Sequence, residues 1–124
     1  VRLSYLGLIL FSLLALGCSR GPESPEEVAE VFFTALSQED FQTASEFAEP
    51  YTAAFLIMAE EMAKVQKSTG EILDLPLGGV VQGPSEERGE FQRVIQVLRG
   101  RRVEDIPLVW DGQAWKVRLP ESLF

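Results

Sequence analysis

From Leu3 to Ser19 the chain carries no charged residue, Arg2 stands just ahead of that run, and the run ends around the only cysteine, Cys18. This feature limits the possible folds more than any other. A spanning helix needs about 20 apolar residues, whereas Leu3–Gly17 supplies fifteen, interrupted by Ser4, Gly7 and Ser12. A positive start, a short apolar stretch and small residues at its end describe an export signal, removed from the mature chain. Residues 1–17 are therefore read as a signal-peptide helix outside the folded domain. Of the 124 residues, 107 remain, enough for one domain with its own core.

The segment Leu14-Ala15-Leu16-Gly17-Cys18 resembles the lipobox of bacterial lipoproteins. The resemblance implies cleavage between Gly17 and Cys18, a diacylglycerol thioether on Cys18, and acylation of the new amino terminus by a fatty acid such as palmitate. Ala15 stands where that motif usually has Leu. An unpaired cysteine is often only a small buried hydrophobe, but this one follows a signal segment and precedes a polar stretch, so lipidation is the stronger reading. A lipidated Cys18 leaves no thiol, hence no disulfide and no thiol chemistry. Ser19, rather than Asp, follows the cysteine, which in the sorting rule accompanying the motif implies the periplasmic face of the outer membrane. The linker is taken as residues 18–24 and the domain as 25–124.

Charge narrows the partners. Arg2 is the one charged residue of the removed segment, so ten basic and nineteen acidic residues remain, a net −9. Nucleic-acid binding rests on a cationic face, so no nucleic-acid partner is expected. Anionic lipid would not attract such a domain; membrane attachment is expected through the N-terminal lipid instead. The acidity lies in the first half: residues 18–74 carry −9 and residues 75–124 carry none net.

Local patterns give helices first. Ser24, Pro25 and Glu27 make a capping box opening a helix, with Val28, Val31, Phe32, Ala35 and Leu36 at the spacing of one buried face. A short second helix carries Phe41, Ala44 and Ala48 and stops at Pro50. Pro50 opens a longer third helix to about Lys67, closed by Gly70; Tyr51, Ala54, Phe55, Met58, Met62 and Val65 are expected on its inner face. Leu56 and Ile57 fall off that stripe and predict a second cover. A strand is expected near Ile72–Leu77, then a loop in which Gly83–Gly89 is a turn. Phe91–Leu98 and Val103–Trp110 read as strands joined near Arg99-Gly100-Arg101. Asp111-Gly112 signals a two-residue hairpin turn, which would set Leu108 opposite Trp115, Ile106 opposite Val117 and Asp105 opposite Arg118 as an exposed ion pair.

Helices followed by an antiparallel meander give an α+β class. The stretches "SPEEVAEVFFTALSQEDFQTASEFAEP" and "IPLVWDGQAWKVRLP" resemble small bacterial lipoproteins of the nuclear-transport-factor-two-like (cystatin-like, cone-shaped) superfamily. That resemblance implies N-terminal helices packed on a curved antiparallel sheet wrapped around the first helix. It says almost nothing about activity.

Catalytic constellations are sparse in this sequence. It has no histidine, so it lacks an imidazole base, and no Ser is followed three residues later by Lys. With neither His nor a free Cys, no transition-metal site and no cofactor is expected. Tyr51, Phe55, Met58, Met62, Trp110 and Trp115 are candidates for an apolar pocket between the third helix and the sheet, and equally for plain core. Arg99, Arg101 and Arg102 at one hairpin tip are a candidate partner patch, and equally a solvated turn. The sequence thus favours a non-enzymatic, lipid-anchored envelope module that binds an envelope protein or a small apolar ligand. The alternatives are a small cone-pocket hydrolase or isomerase pairing a carboxylate such as Glu60 or Asp74 with Tyr51, and a structural subunit of an envelope assembly.

Overall fold

Capping sets the start of the first helix, α1 (Pro25–Ser37). The Ser24 Oγ accepts from the Glu27 backbone N–H at 3.1 Å, and Pro25 fills the first turn. The computed structural model describes residues 21–70 and 78–120. The apolar leader, Gly17, Cys18, Asp74 and the strand expected at 72–77 lie outside the described residues. The buried arc of α1 is wider than its apolar spacing predicts: Ala29 and Phe33 are buried beside Val28, Phe32, Ala35 and Leu36, while Val31 is only half-buried. Phe32 and Phe33, adjacent in sequence, meet edge to face with ring centres 5.0 Å apart. Two neighbouring side chains can both be buried only if the helix is covered on two flanks, and α1 packs both on the sheet and against the second helix.

The second helix, α2 (Phe41–Glu46), is capped by Asp40, whose carboxylate accepts from the Thr43 N–H at 3.2 Å. Hydrogen bonds from Thr43 hold the Asp40 carboxyl below its ordinary range. The third, α3 (Pro50–Thr69), is capped by Glu49 and ends at Gly70, whose φ of 77° is the left-handed closure that glycine permits.

The sheet is a four-stranded antiparallel meander in the order β1 (Val80–Glu87), β2 (Gln92–Arg99), β3 (Arg102–Trp110) and β4 (Trp115–Val117). Together with the helices it gives the α+β class expected from the sequence, built on a curved sheet. The inner face of the sheet carries Ile95, Val97, Ile106, Leu108 and Val117, all buried together with the apolar residues of α1. The free edge of β4 does not stand open. The Val117 N–H donates to the Phe47 carbonyl at 2.8 Å and the Glu49 N–H donates to the Val117 carbonyl at 3.0 Å, so the α2–α3 link covers it.

Four features differ from the sequence expectation. Residues expected to form a loop are strand β1, which pairs with β2 as the first strand of the described sheet. Within β1, Gly83-Pro84-Ser85 faces the single residue Ile95, because pairing passes from Gln82↔Gln96 to Glu86↔Val94. A bulge of three residues against one accommodates Gly and Pro inside a strand, and their presence is what made it read as a turn.

The last hairpin is also shifted. Trp110 pairs with Trp115 and Leu108 with Val117, so the turn holds four residues, not two. The Asp111 carboxylate accepts from the N–H groups of Gln113 and Ala114, both at 2.8 Å, and this Asx-type turn outcompetes the tight Asp-Gly turn. These same bonds lower the Asp111 carboxyl from its ordinary range. Asp105 and Arg118 are therefore not opposite: Asp105 pairs with Gln96, and the Arg118 N–H donates to the Pro107 carbonyl. The earlier hairpin turns on Gly100-Arg101, with Arg99 opposite Arg102 and φ of 64° at Gly100.

The fourth difference concerns α3, whose buried residues are Thr52, Leu56 and Ala63. Tyr51, Met58, Met62 and Val65 point outward instead, as does Ile57. Two stripes competed for the interior, and the smaller one won. Thr52, Ala59 and Ala63 let α3 approach α2 closely, and α2 contributes only a short helix with Ala44 in the contact. Leu56, expected to need a separate cover, belongs to the main core.

Candidate interaction face

The outward stripe of α3 concentrates apolar surface that the core does not use. Among the described residues eight large hydrophobic side chains are exposed, and five stand on this helix: Tyr51 (66%), Ile57 (58%), Met58 (63%), Met62 (58%) and Val65 (62%). Half-buried Phe55 joins them. Scattered exposed hydrophobics need no explanation, but a contiguous set marks an interaction surface. The spacing of Tyr51, Phe55, Met58, Met62 and Val65 alternates four and three residues, which keeps all five on one ridge along the helix.

Beside the ridge the charges cancel locally. Lys64 Nζ lies 3.3 Å from Glu61 and 3.8 Å from Glu60, all on the exposed surface. Lys67 reaches the Glu39 carboxylate in the α1–α2 turn at 2.7 Å, fixing the far end of the helix. At the near end, the buried Thr52 hydroxyl donates to Glu49 at 3.0 Å and accepts from the Leu119 N–H at 3.1 Å. The helix is thus held at both ends while Tyr51, Met58, Met62 and Val65 on its outer flank stay exposed.

The six pocket candidates are not gathered into one cavity. Tyr51, Met58 and Met62 lie on the open side of α3. Trp110 and Trp115, cross-strand neighbours on the sheet, pack edge to face at 5.5 Å. The two concavities described, a depression of about 90 Å³ around Pro84, Glu86, Val94 and Asp105 and a shallow groove of about 360 Å³ between α1 and α2, are lined by none of the six. Glu60, a carboxylate considered for chemistry, is the partner of Lys64.

Nor does the arginine trio act together. The Arg99 side chain is 12% exposed and donates to Glu104 at 3.1 Å, while Arg101 and Arg102 are exposed at the hairpin tip. Only the latter two are available to a partner.

A polar cluster that sequence reasoning missed lies under the β1 bulge. Ser85, almost fully buried, donates its hydroxyl to the Glu26 carboxylate at 2.5 Å, and its own N–H donates to the same oxygen at 2.8 Å. Arg93 donates from Nε to the Ser85 hydroxyl at 2.7 Å and from Nη2 to the Ser85 carbonyl at 3.0 Å, and its Nη1 lies 3.6 Å from Glu87. The Ser85 hydrogen bonds, with the Arg93 charge adding to them, hold the Glu26 carboxyl below its ordinary range against the opposing effect of burial. The Ser85 hydroxyl both donates and accepts in this arrangement, so the cluster clamps the start of α1 to the sheet. Fifty-nine residues separate Glu26 from Ser85, and no local pattern announces such a contact; the Gly83-Pro84 pair beside the bulge is the one usable hint.

No helix among the described residues is long and apolar enough to cross a membrane. No family model, curated protein or solved structure matches the chain.

Proposed function

We propose that this protein is a lipid-anchored cell-envelope module of the nuclear-transport-factor-two-like type that works by binding rather than by catalysis, using the outward ridge of α3. The observation that carries the reading is that ridge: four exposed apolar side chains, Tyr51, Met58, Met62 and Val65, on a helix fixed at both ends. The anchoring half rests on the Leu14–Cys18 motif, with cleavage after Gly17 and acylation of Cys18, followed by a linker too short to let the domain leave the membrane surface. Ser19 favours the periplasmic face of the outer membrane. The acidic balance, at −9 for the mature chain, points away from nucleic acid and toward neutral or apolar contacts.

The test combines Cys18→Ala with globomycin treatment of cells expressing the native chain. Both should leave an unprocessed precursor, and the variant should lose its acyl chains by mass spectrometry. A native chain whose mobility ignores globomycin, or a Cys18→Ala chain that remains processed and membrane-held, would refute anchoring.

A further inference from the structure

We propose that the occupant of the α3 ridge is the bilayer surface itself, with Tyr51, Met58, Met62 and Val65 immersed at the level of the lipid headgroups. This inference deepens the anchoring reading above and rests on it. Seven residue steps separate Cys18 from Pro25, roughly 24 Å at full extension. A domain on such a tether meets the membrane continuously, at an effective concentration that no diffusing partner matches.

The chemistry of the ridge fits that surface. A helix of 20 residues extends about 30 Å and can lie flat on a membrane. Tyr51 offers an apolar ring with a polar tip, the side-chain type that settles at headgroup depth, and the two methionines adapt to an irregular surface. Charge separates this helix from α1, which carries three glutamates and no basic residue: between Pro50 and Thr69 two lysines balance two glutamates. The domain therefore approaches lipid with its one long neutral helix, and apolar contact alone suffices there. A second copy of the chain fits less well. One ridge of a single helix presents a few hundred Å² at most, below the roughly 800 Å² per partner that stable dimers bury.

The decisive measurement uses the full, lipidated chain in vesicles of phosphatidylethanolamine and phosphatidylglycerol. With Cys18 acylated, Met58→Cys supplies the only free thiol for a spin label, and Gln96→Cys, exposed on the outer face of the sheet, supplies the reference. Immersion predicts that the ratio of collisions with oxygen to collisions with a water-soluble nickel chelate is about threefold or more higher at 58 than at 96. Met62→Cys gives the same readout if the first variant folds poorly. Equal, water-like ratios at 58 and 96 on a chain that is processed and vesicle-bound would overturn the bilayer contact while leaving the anchor intact. Dipolar broadening between labels at 58 would overturn it in favour of a second copy. An unprocessed chain in the membrane fraction would remove the anchor, and this proposal with it.

Discussion

Replacing Ser85 with alanine should cost the domain about 2 kcal/mol at neutral pH and much less in acid. The substitution removes one hydroxyl that makes two bonds, donating to Glu26 at 2.5 Å and accepting from Arg93 Nε at 2.7 Å. Each involves a charged group, and hydrogen bonds of that kind contribute about 1.5–3 kcal/mol. Full loss of both overstates the effect, because the Ser85 N–H still donates to Glu26 and the Ser85 carbonyl still accepts from Arg93 Nη2. Glu26 is also half-buried rather than sealed, so water replaces part of the lost contact. About 2 kcal/mol is the resulting expectation, equivalent to a melting-point drop of about 8 °C for a domain of this size.

The pH dependence follows from the Glu26 carboxyl. Its folded-state pKa lies below the ordinary 4.5, so the unfolded chain takes up the proton first as pH falls. The stability it contributes is fully present above the unfolded value and is lost as pH drops through the folded one. The gap between wild type and Ser85→Ala should therefore hold from pH 8 to about pH 5 and narrow below about 4.5. Urea unfolding followed by tryptophan fluorescence at several pH values measures it. A gap under about 0.5 kcal/mol at pH 7, or one that stays constant into acid, would refute the clamp as described.

The two sides of α3 should respond in opposite ways to truncation. Leu56→Ala, within the core, should cost about 2–5 kcal/mol, whereas Met58→Ser with Met62→Ser should change urea stability by less than about 1 kcal/mol; equal losses would show that the ridge is part of the core. Gly79→Ala should destabilise by about 1–3 kcal/mol, since its Cβ would lie 2.5 Å from Val97 Cγ1 and the chain there must move; an unchanged melt would refute the close approach. Thr52→Val should cost about 1–3 kcal/mol by leaving the Leu119 N–H without its acceptor in a buried site, with faster hydrogen exchange at Leu119 as the local signature.

How much of this was legible in the sequence depended on how far each determinant reaches. Caps and helix ends act within a few residues, so Ser24, Pro25, Pro50 and Gly70 mark α1 and α3 correctly. The meander from Gln92 to Trp110 was legible for a similar reason: β-branched residues are frequent there, and Gly100 permits the turn. The last hairpin failed at the same scale. Asp111 offers two local solutions, a tight turn with Gly112 or a carboxylate that gathers two N–H groups, and only the cross-strand partners decide between them. Pairing Trp110 with Trp115 places two aromatic rings together on the inner face, a gain that the tighter turn would forgo. Strand β1 was hidden because Gly83 and Pro84 spell a turn, and the bulge that accommodates them is stabilised by Glu26 and Arg93 from distant positions.

The misreading of α3 has the most consequence for function. Hydrophobicity alone ranks Tyr51, Phe55, Met58, Met62 and Val65 above Thr52, Leu56, Ala59 and Ala63, so the pattern assigns the larger set to the interior. Packing ranks them the other way. The α3 side facing α2 has room for alanine and one leucine, and its single hydroxyl, on Thr52, is satisfied by Glu49 and Leu119. A helix with two apolar faces and room for only one leaves the other outside the core, and among the described residues Tyr51, Met58, Met62 and Val65 stay exposed there. Exposed apolar area carries a hydration cost of roughly 25 cal/mol per Å², and a polar ridge would fold equally well on the same inner contacts. The ridge is therefore better explained by a contact outside the domain core than by folding, and the bilayer contact proposed above would supply such a surface.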